Sequence, residues 1–225
     1  MHHDPTSPAA TRSESVGADG VVAELDRPGE GPSRGLVILA HGAGSDRNSA
    51  LLRAISAALT ERGFTVARID LPYRQQRPKG PPSPSKASAD RDGIRAAVAA
   101  IRPLAPAGPL IVGGQSYGGR QASMVVADPS IDGLLLTSYP LHPPGKPEKL
   151  RTEHFPDITV PTLIIHGRSD SFATSAEIAS AATLFTGPVE IIEIEKADHG
   201  LKPERSGVGE VTAAAVEDFF LKGPL

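Results

Sequence analysis

The sequence has 225 residues, no cysteine, a formal net charge of -3 and a pI of about 6.2. This length suits a single α/β domain, which we expect over residues 20–225. The lack of cysteine excludes disulfides, thiolate metal sites and a cysteine nucleophile. The weak negative charge does not favour nucleic acid or an anionic membrane as a partner.

The first 19 residues, MHHDPTSPAATRSESVGAD, are mostly small and polar. They contain neither a basic leader nor an apolar run of signal-peptide length, and we expect them to form a disordered tail. No stretch of the sequence approaches the roughly 18 apolar residues of a membrane span. We therefore expect a cytoplasmic protein that does not enter membranes.

Short apolar runs bounded by Gly and Pro predict strands that are buried on both faces of a parallel sheet. A further run at 189–194 mixes polar and apolar residues and is expected nearer an edge, whereas 21–25 predicts a short antiparallel strand at the other end. The five buried runs are 35–40, 64–69, 110–114, 133–137 and 162–166.

Helical apolar spacing separates these runs, and it predicts helices over 48–62, 92–101, 119–127, 175–184 and 208–220. Asn48 is a candidate cap for the first of them. The alternation of strand and helix predicts an α/β fold, with a mostly parallel sheet and helices on both faces. Functional groups in such sheets lie at the carboxyl ends of the strands.

The strongest chemical motif is Gly114-Gln115-Ser116-Tyr117-Gly118, a G-x-S-x-G between a predicted strand and a predicted helix. Glycines flank the serine of a nucleophile elbow because the tight turn leaves no room for side chains. Ser116 is therefore the candidate nucleophile, and it needs a base to become reactive.

The candidates for the other two members of a triad follow later strands. Asp170 comes shortly after the strand that ends near His166, and His199 follows the last strand. This order, Ser then Asp then His, is that of α/β hydrolases. Asp198 is adjacent to His199 and is a poorer orienting acid, because neighbouring side chains diverge; Asp132 and Asp157 lack a strand-end position.

The remaining histidines receive other roles. His41 is expected to orient backbone in the loop 41–45, whose small residues let a carbonyl oxygen approach. We expect the backbone amides of Ala43 and Tyr117 to form the oxyanion hole. His166 is expected to be a structural hydrogen-bonding residue, and His142 and His154 are expected to be solvated.

The ordered motifs HGAG, GQSYGG, HGRSD and DHG resemble those of the α/β-hydrolase superfamily, and most closely its small, capless, dienelactone-hydrolase-like members. The resemblance spans about residues 35–220 and implies an α/β-hydrolase fold without a cap domain. Dienelactone hydrolases proper carry a cysteine at the elbow. Because Ser116 stands there in this chain, the resemblance favours ordinary ester hydrolysis.

Two loops follow strands on the expected active face. Residues 72–88 are rich in Pro and basic residues and suggest either an anion-attracting segment or, more simply, a solvated mobile loop; residues 138–160 are too polar for a cap. Arg120, four residues after Ser116, suits either a substrate carboxylate or a structural ion pair.

These observations predict a serine hydrolase that cleaves a small-molecule carboxylic ester through an acyl-enzyme. No metal or cofactor is expected. Two alternatives stay open at this point: an α/β hydrolase that cleaves amides or peptides, and a scaffold of the same fold that binds without catalysing. The sequence does not predict an oligomeric state.

Overall fold

The computed structural model describes residues 12–18, 20–105 and 107–223. Its strands are β1 (Arg12–Ala18), β2 (Val21–Arg27), β3 (Leu36–Ala40), β4 (Thr65–Asp70), β5 (Leu110–Gln115), β6 (Gly133–Thr137), β7 (Thr162–Gly167) and β8 (Val189–Ile194). These strands form one sheet in the spatial order β1-β2-β4-β3-β5-β6-β7-β8. Strands β3 to β8 are mutually parallel, and β1 and β2 are antiparallel to their neighbours.

Helices connect these strands on both faces of the sheet. Five of the helices described are those expected from the apolar spacing, and two short ones, Pro72–Gln76 and Pro203–Ser206, were not predicted. The helices are α1 (Ala50–Glu61), α2 (Pro72–Gln76), α3 (Ala87–Ile101), α4 (Tyr117–Ser123), α5 (Ser175–Ala182), α6 (Pro203–Ser206) and α7 (Val208–Leu221).

The apolar core forms two layers, one on each side of the sheet. Alternate residues of β3 show the division, since Leu36 and Ile38 join the layer under α3, α4 and α5, whereas Val37 and Leu39 join the layer under α1 and α7. Successive strand residues point to opposite faces. Continuous apolar runs are therefore required for a sheet that is covered on both sides.

The predicted α/β-hydrolase fold without a cap is confirmed. The parallel strands lie within one or two residues of their expected bounds, and β8 is an edge strand, as its mixed composition indicated. Between 138 and 160, where a cap would be inserted, the only regular element is the 3-10 turn Phe155–Asp157.

Some helix boundaries were predicted wrongly. The helix expected at 119–127 begins at Tyr117 and ends at Ser123, because Met124 and Val125 donate to carbonyls three residues back and form turns. The helix expected at 92 begins at Ala87. The cap of α1 is Ser49, whose hydroxyl accepts the Leu52 N–H.

The expectation of a disordered tail through residue 19 is wrong for Arg12–Ala18. This segment forms β1, which pairs with β2 along the sheet edge. Its side chains pair across the strands, for example Ser15 with Glu24 at 2.9 Å and Arg27 with Glu14 at 2.8 Å. Backbone pairing and polar cross-strand contacts form such a strand without apolar periodicity. Residues 1–11 and 19 lie outside the described residues.

Within the described ranges, no helix combines the length and apolar character that crossing a membrane requires.

Candidate active site

Three side chains from separate loops meet at the carboxyl edge of the sheet. Ser116 follows β5, Asp170 follows β7, and His199 follows β8. The Nε2 atom of His199 lies 2.9 Å from the Ser116 hydroxyl oxygen. The Nδ1 atom of His199 lies 2.8 and 2.9 Å from the two carboxylate oxygens of Asp170. The structure thus brings together the serine, histidine and aspartate that the motifs indicated.

Ser116 has a strained backbone at the strand-to-helix turn, with φ of 49° and ψ of -111°. Its N–H donates to the Thr137 carbonyl at 2.9 Å, which ties the turn to β6. A Cβ on Gly114 would lie 2.1 Å from the Ala40 carbonyl oxygen, and one on Gly118 would lie 2.5 Å from the carbonyl oxygens of Ala40 and His41. Both flanking positions therefore require glycine.

Residues 41–45 form the loop that was expected to supply an oxyanion donor, called the oxyanion loop below. Hydrogen bonds to its backbone carbonyls hold it in place. The Gly42 carbonyl accepts from His41 Nδ1 at 2.9 Å and from the Tyr73 hydroxyl at 3.2 Å. The C=O of one residue and the N–H of the next point in opposite directions across a trans peptide. The Ala43 N–H therefore points away from Tyr73, and Ala43 lines the same cavity as Ser116 and Tyr117.

His41 is fully buried and its two ring nitrogens have distinct partners. Nε2 accepts the Leu71 N–H at 3.2 Å, so the ring proton is on Nδ1, where it is donated to the Gly42 carbonyl. Burial is the main cause that lowers the pKa of His41 below its ordinary value. The neutral ring thus connects the end of β4 to the oxyanion loop, in the orienting role expected for it.

Tyr73 and Arg74, at the start of α2, donate hydrogen bonds to further backbone carbonyls of the oxyanion loop. The Tyr73 hydroxyl donates to the Ala43 carbonyl at 3.0 Å, and Arg74 donates to the carbonyls of Ser45 at 2.8 Å and Ala43 at 3.2 Å. Burial raises the pKa of Tyr73 to about 12, so its hydroxyl keeps its proton and can donate.

Asp90, a buried residue of α3, connects this support to the elbow. One carboxylate oxygen accepts the Tyr117 hydroxyl at 2.7 Å, and the other accepts the Tyr73 N–H at 3.0 Å. Burial, with the Asp90 hydrogen bond as the next cause, raises the pKa of Tyr117 above its usual range. Sequence reasoning missed Asp90, Tyr73 and Arg74, because their partners lie 17 to 31 residues away and no local pattern marks the pairing.

A cavity of about 640 Å³ opens beside Ser116. Its walls come from the elbow, the oxyanion loop, Phe172, the start of α3 and both long loops. Pro82 and Ser85 line it from the 72–88 loop, and Pro140 and Arg151 line it from the 138–160 loop. This volume lies in the range typical of small-molecule sites.

The sequence model of the α/β hydrolase domain family matches residues 33–218. The chain belongs to this family. Solved structures with the same fold include a dienelactone hydrolase from Anabaena variabilis, with a TM-score of 0.72 and 18% identity over 96% of this chain and 99% of that one. A lidless α/β serine hydrolase from Xanthomonas campestris has a TM-score of 0.67 and 16% identity over 95% of both chains. An esterase domain of a Rhodothermus marinus protein has a TM-score of 0.68 and 17% identity over 92% of this chain and 98% of that one.

Several expectations about other polar residues of this α/β hydrolase were wrong. His142 is buried rather than solvated, with Nδ1 2.9 Å from the Pro143 carbonyl and Nε2 3.3 Å from Glu177. His154 is half-buried, and its Nε2 lies 2.7 Å from the Ser123 hydroxyl. His166, in contrast, is fully buried at the end of β7, where burial lowers its pKa and a backbone hydrogen bond with Ala173 acts against this.

Asp198 does not contact His199 in this α/β hydrolase. Its carboxylate accepts from Lys202 at 2.5 Å and from the Gly200 N–H at 3.0 Å. This agrees with the expectation that Asp198 is the poorer orienting acid. In the basic 72–88 loop, Arg77, Lys79 and Lys86 are exposed, as expected of a solvated loop, whereas Arg74 is buried and its guanidinium donates to backbone carbonyls.

Proposed function

We propose that this α/β hydrolase cleaves carboxylic esters of small molecules by a double displacement at Ser116. The observation that carries the proposal is the continuous hydrogen-bonded series from the Ser116 hydroxyl through both nitrogens of His199 to Asp170. Contacts of this length are the signature of an activated nucleophile with a base and an orienting acid.

In the first step, His199 Nε2 takes the hydroxyl proton of Ser116 while the serine oxygen forms a bond to the ester carbonyl carbon. Asp170 accepts a hydrogen bond from Nδ1–H, which fixes the tautomer with a free Nε2 and stabilises the imidazolium that forms, and Asp170 itself stays ionised. The carbonyl oxygen becomes an oxyanion. We assign the backbone N–H groups of Ala43 and Tyr117 to bind it; Tyr117 is the first residue of α4, so its N–H has no acceptor within the helix.

Collapse of this intermediate breaks the bond between the carbonyl carbon and the alcohol oxygen, and His199 returns the proton to the departing alcohol. Water then attacks the acyl-enzyme with His199 again as the base, and the acid product leaves with Ser116 restored. Each proton taken by His199 is returned within the same half-reaction. The cycle thus consumes one water and yields one acid and one alcohol.

Turnover of p-nitrophenyl acetate by the wild type and by Ser116→Ala tests this proposal. We expect saturable hydrolysis by the wild type and none above background in the variant, with both proteins folded by circular dichroism. The matched anilide, p-nitroacetanilide, distinguishes ester from amide cleavage. Faster cleavage of the anilide would make the enzyme an amidase, and turnover of neither compound by a folded wild type would favour a binding scaffold.

A further inference from the structure

The charged side chains that line the cavity beside Ser116 all have the same sign. They are Arg91 from α3, Arg120 from α4 and Arg151 from the 138–160 loop. No Asp or Glu is among the described residues of the cavity wall. A guanidinium is always protonated in proteins, so the wall carries a fixed positive charge.

None of these arginines has a carboxylate partner in the described part of the chain. Arg91 donates to the Gln121 side chain at 3.1 Å, and Arg151 donates to the Pro140 carbonyl at 2.9 Å. The arginines that do form ion pairs lie elsewhere: Arg27, Arg34, Arg47, Arg62, Arg68, Arg95 and Arg168. The cavity wall therefore holds three arginines whose charges no described carboxylate neutralises.

Of the three arginines, Arg120 has the fewest hydrogen-bond partners for its guanidinium. Its Nε is buried, and no acceptor among the described residues bonds to it. The expected structural ion pair of Arg120 is thus absent from the described structure. Its positive charge contributes, after burial, to a lowered pKa of Arg151, which places like charges near each other in a half-buried wall. An anion between them would relieve this repulsion and satisfy the free donors.

The position of Arg120 relates this charge to the reaction. The Arg120 N–H donates to the Ser116 carbonyl at 2.9 Å, one helical turn after the elbow. Arg120 and Ser116 line the same cavity. The guanidinium is therefore suited to a group a few bonds from the scissile carbonyl, whereas the cations of the 72–88 loop are absent from the described cavity wall.

We propose that the substrate is an ester that also carries an anionic oxygen group, a carboxylate or a phosphate, which Arg120 binds together with Arg151 and Arg91. This inference rests on the ester hydrolysis proposed above and specifies its substrate class. A guanidinium presents several donors in a fixed fork that matches both groups. The arginines act in binding and orientation, and the covalent steps stay with Ser116 and His199.

Pairs of esters that differ only in charge test the proposal. For an anion on the alcohol side, p-acetoxybenzoate and p-acetoxyphenyl phosphate are compared with neutral methyl p-acetoxybenzoate. For an anion on the acyl side, mono-p-nitrophenyl adipate is compared with its methyl ester. We expect kcat/KM of the wild type to be at least about tenfold higher for the anionic member of one of these pairs. The phosphate arm distinguishes the two anions.

The preference should depend on Arg120. Arg120→Gln is expected to lower the ratio of kcat/KM for the anionic over the neutral ester by about tenfold to a hundredfold, and Arg151→Gln should lower it less. Arg53→Gln, which removes an exposed charge on α1, is the control and should leave the ratio unchanged. Partial unfolding of a variant lowers the apparent kcat/KM for both esters by the same factor. It therefore leaves their ratio unchanged.

Binding measured without turnover separates failure of this inference from failure of the proposed function. Titration calorimetry of Ser116→Ala with adipate, benzoate and inorganic phosphate should show binding that weakens with added salt and is lost in Ser116→Ala/Arg120→Gln. Anion binding without ester hydrolysis by the wild type would overturn the function alone. Efficient hydrolysis of neutral esters with no anionic preference in any pair, or a preference that survives Arg120→Gln, would overturn this inference.

Discussion

The ring of Phe172 stacks on the ring of His199, with their centroids 4.0 Å apart and their planes inclined by 26°. Phe172 follows Asp170 by two residues, and its N–H donates to an Asp170 carboxylate oxygen at 2.8 Å. One short loop therefore holds both the acid and one face of the base. Hydrogen bonds fix the imidazole within its plane, and the stacked ring limits its tilt.

Phe172→Leu should lower kcat/KM by about two- to tenfold, because aromatic pairs contribute roughly 0.5–1.5 kcal/mol beyond the area they bury. We expect the loss mainly in kcat, measured with p-nitrophenyl acetate. Phe220→Leu, on α7 and outside the cavity wall, makes the same side-chain change and should keep wild-type activity. Equal activity of both variants would show that the stacking does not position His199.

Asp170→Asn should lower kcat by about 10⁴-fold, because an amide favours the wrong imidazole tautomer. Asp198→Asn is the matched change in the residue next to His199 and should have little effect on kcat, since the Asp198 carboxylate binds Lys202 and the Gly200 N–H. Steady-state kinetics of both variants decides whether Asp170 or Asp198 is the acid that orients His199. A severe loss in Asp198→Asn with a mild one in Asp170→Asn would reverse the assignment.

Gly118→Ala should destabilise the protein, because the new Cβ would lie 2.5 Å from the carbonyl oxygens of Ala40 and His41. Backbone carbonyls in the sheet and its end cannot move aside cheaply, and overpacking costs about 1–3 kcal/mol or more. Gly44→Ala is the control, since a Cβ there meets nothing within 4 Å. Urea unfolding should show a clear loss for the first variant only; equal midpoints would mean that the elbow tolerates a side chain.

The free energy of unfolding should fall as the pH drops below about 6.5, the ordinary pKa of histidine. Burial lowers the pKa of His41, His154 and His166, so the unfolded chain takes up protons there before the folded one does. Each such proton contributes a slope of up to roughly 1.4 kcal/mol per pH unit. Stability from these groups is therefore complete above about 6.5 and declines towards their lowered pKa values.

Two histidine variants test the sign of this effect. His41→Gln should make the acid decline shallower, because one of the buried groups no longer titrates. His142→Gln should leave the decline below about 6.5 unchanged and remove a gain in stability that the wild type shows as the pH falls towards 6.5, because the Pro143 carbonyl and Glu177 raise the pKa of His142 and its stabilisation is complete below the ordinary value. The measurement is the urea midpoint as a function of pH. Identical slopes in the wild type and both variants would contradict the account.

The sequence alone was sufficient for the parallel strands and for the order Ser116, Asp170, His199, because each of these features has a local signal. A buried parallel strand is a short apolar run, and an elbow needs glycines on both sides of its nucleophile. The support of the oxyanion loop by Tyr73, Arg74 and Asp90 has no such signal, since it depends on which helix packs beside the elbow. The strand Arg12–Ala18 was missed because it pairs by backbone and polar contacts.

The arginine wall was only partly foreseen, for the same reason. Arg120 was a candidate because it follows the nucleophile by one helical turn, but Arg91 and Arg151 come from segments 29 and 31 residues away from it in the sequence. Their meeting is a property of the folded chain. The basic residues of 72–88 are conspicuous in the sequence, yet buried Arg74 is engaged with backbone carbonyls.

Labelling with a fluorophosphonate tests the central claim most directly, because the probe reacts only with an activated serine and forms an oxygen–phosphorus bond as fluoride leaves. We predict one adduct per chain by intact mass spectrometry, located by peptide mapping on Ser116. The adduct should be absent from Ser116→Ala and form far more slowly in His199→Ala. An adduct on another serine such as Ser45, or equal labelling of Ser116→Ala, would contradict the assignment of Ser116 as nucleophile.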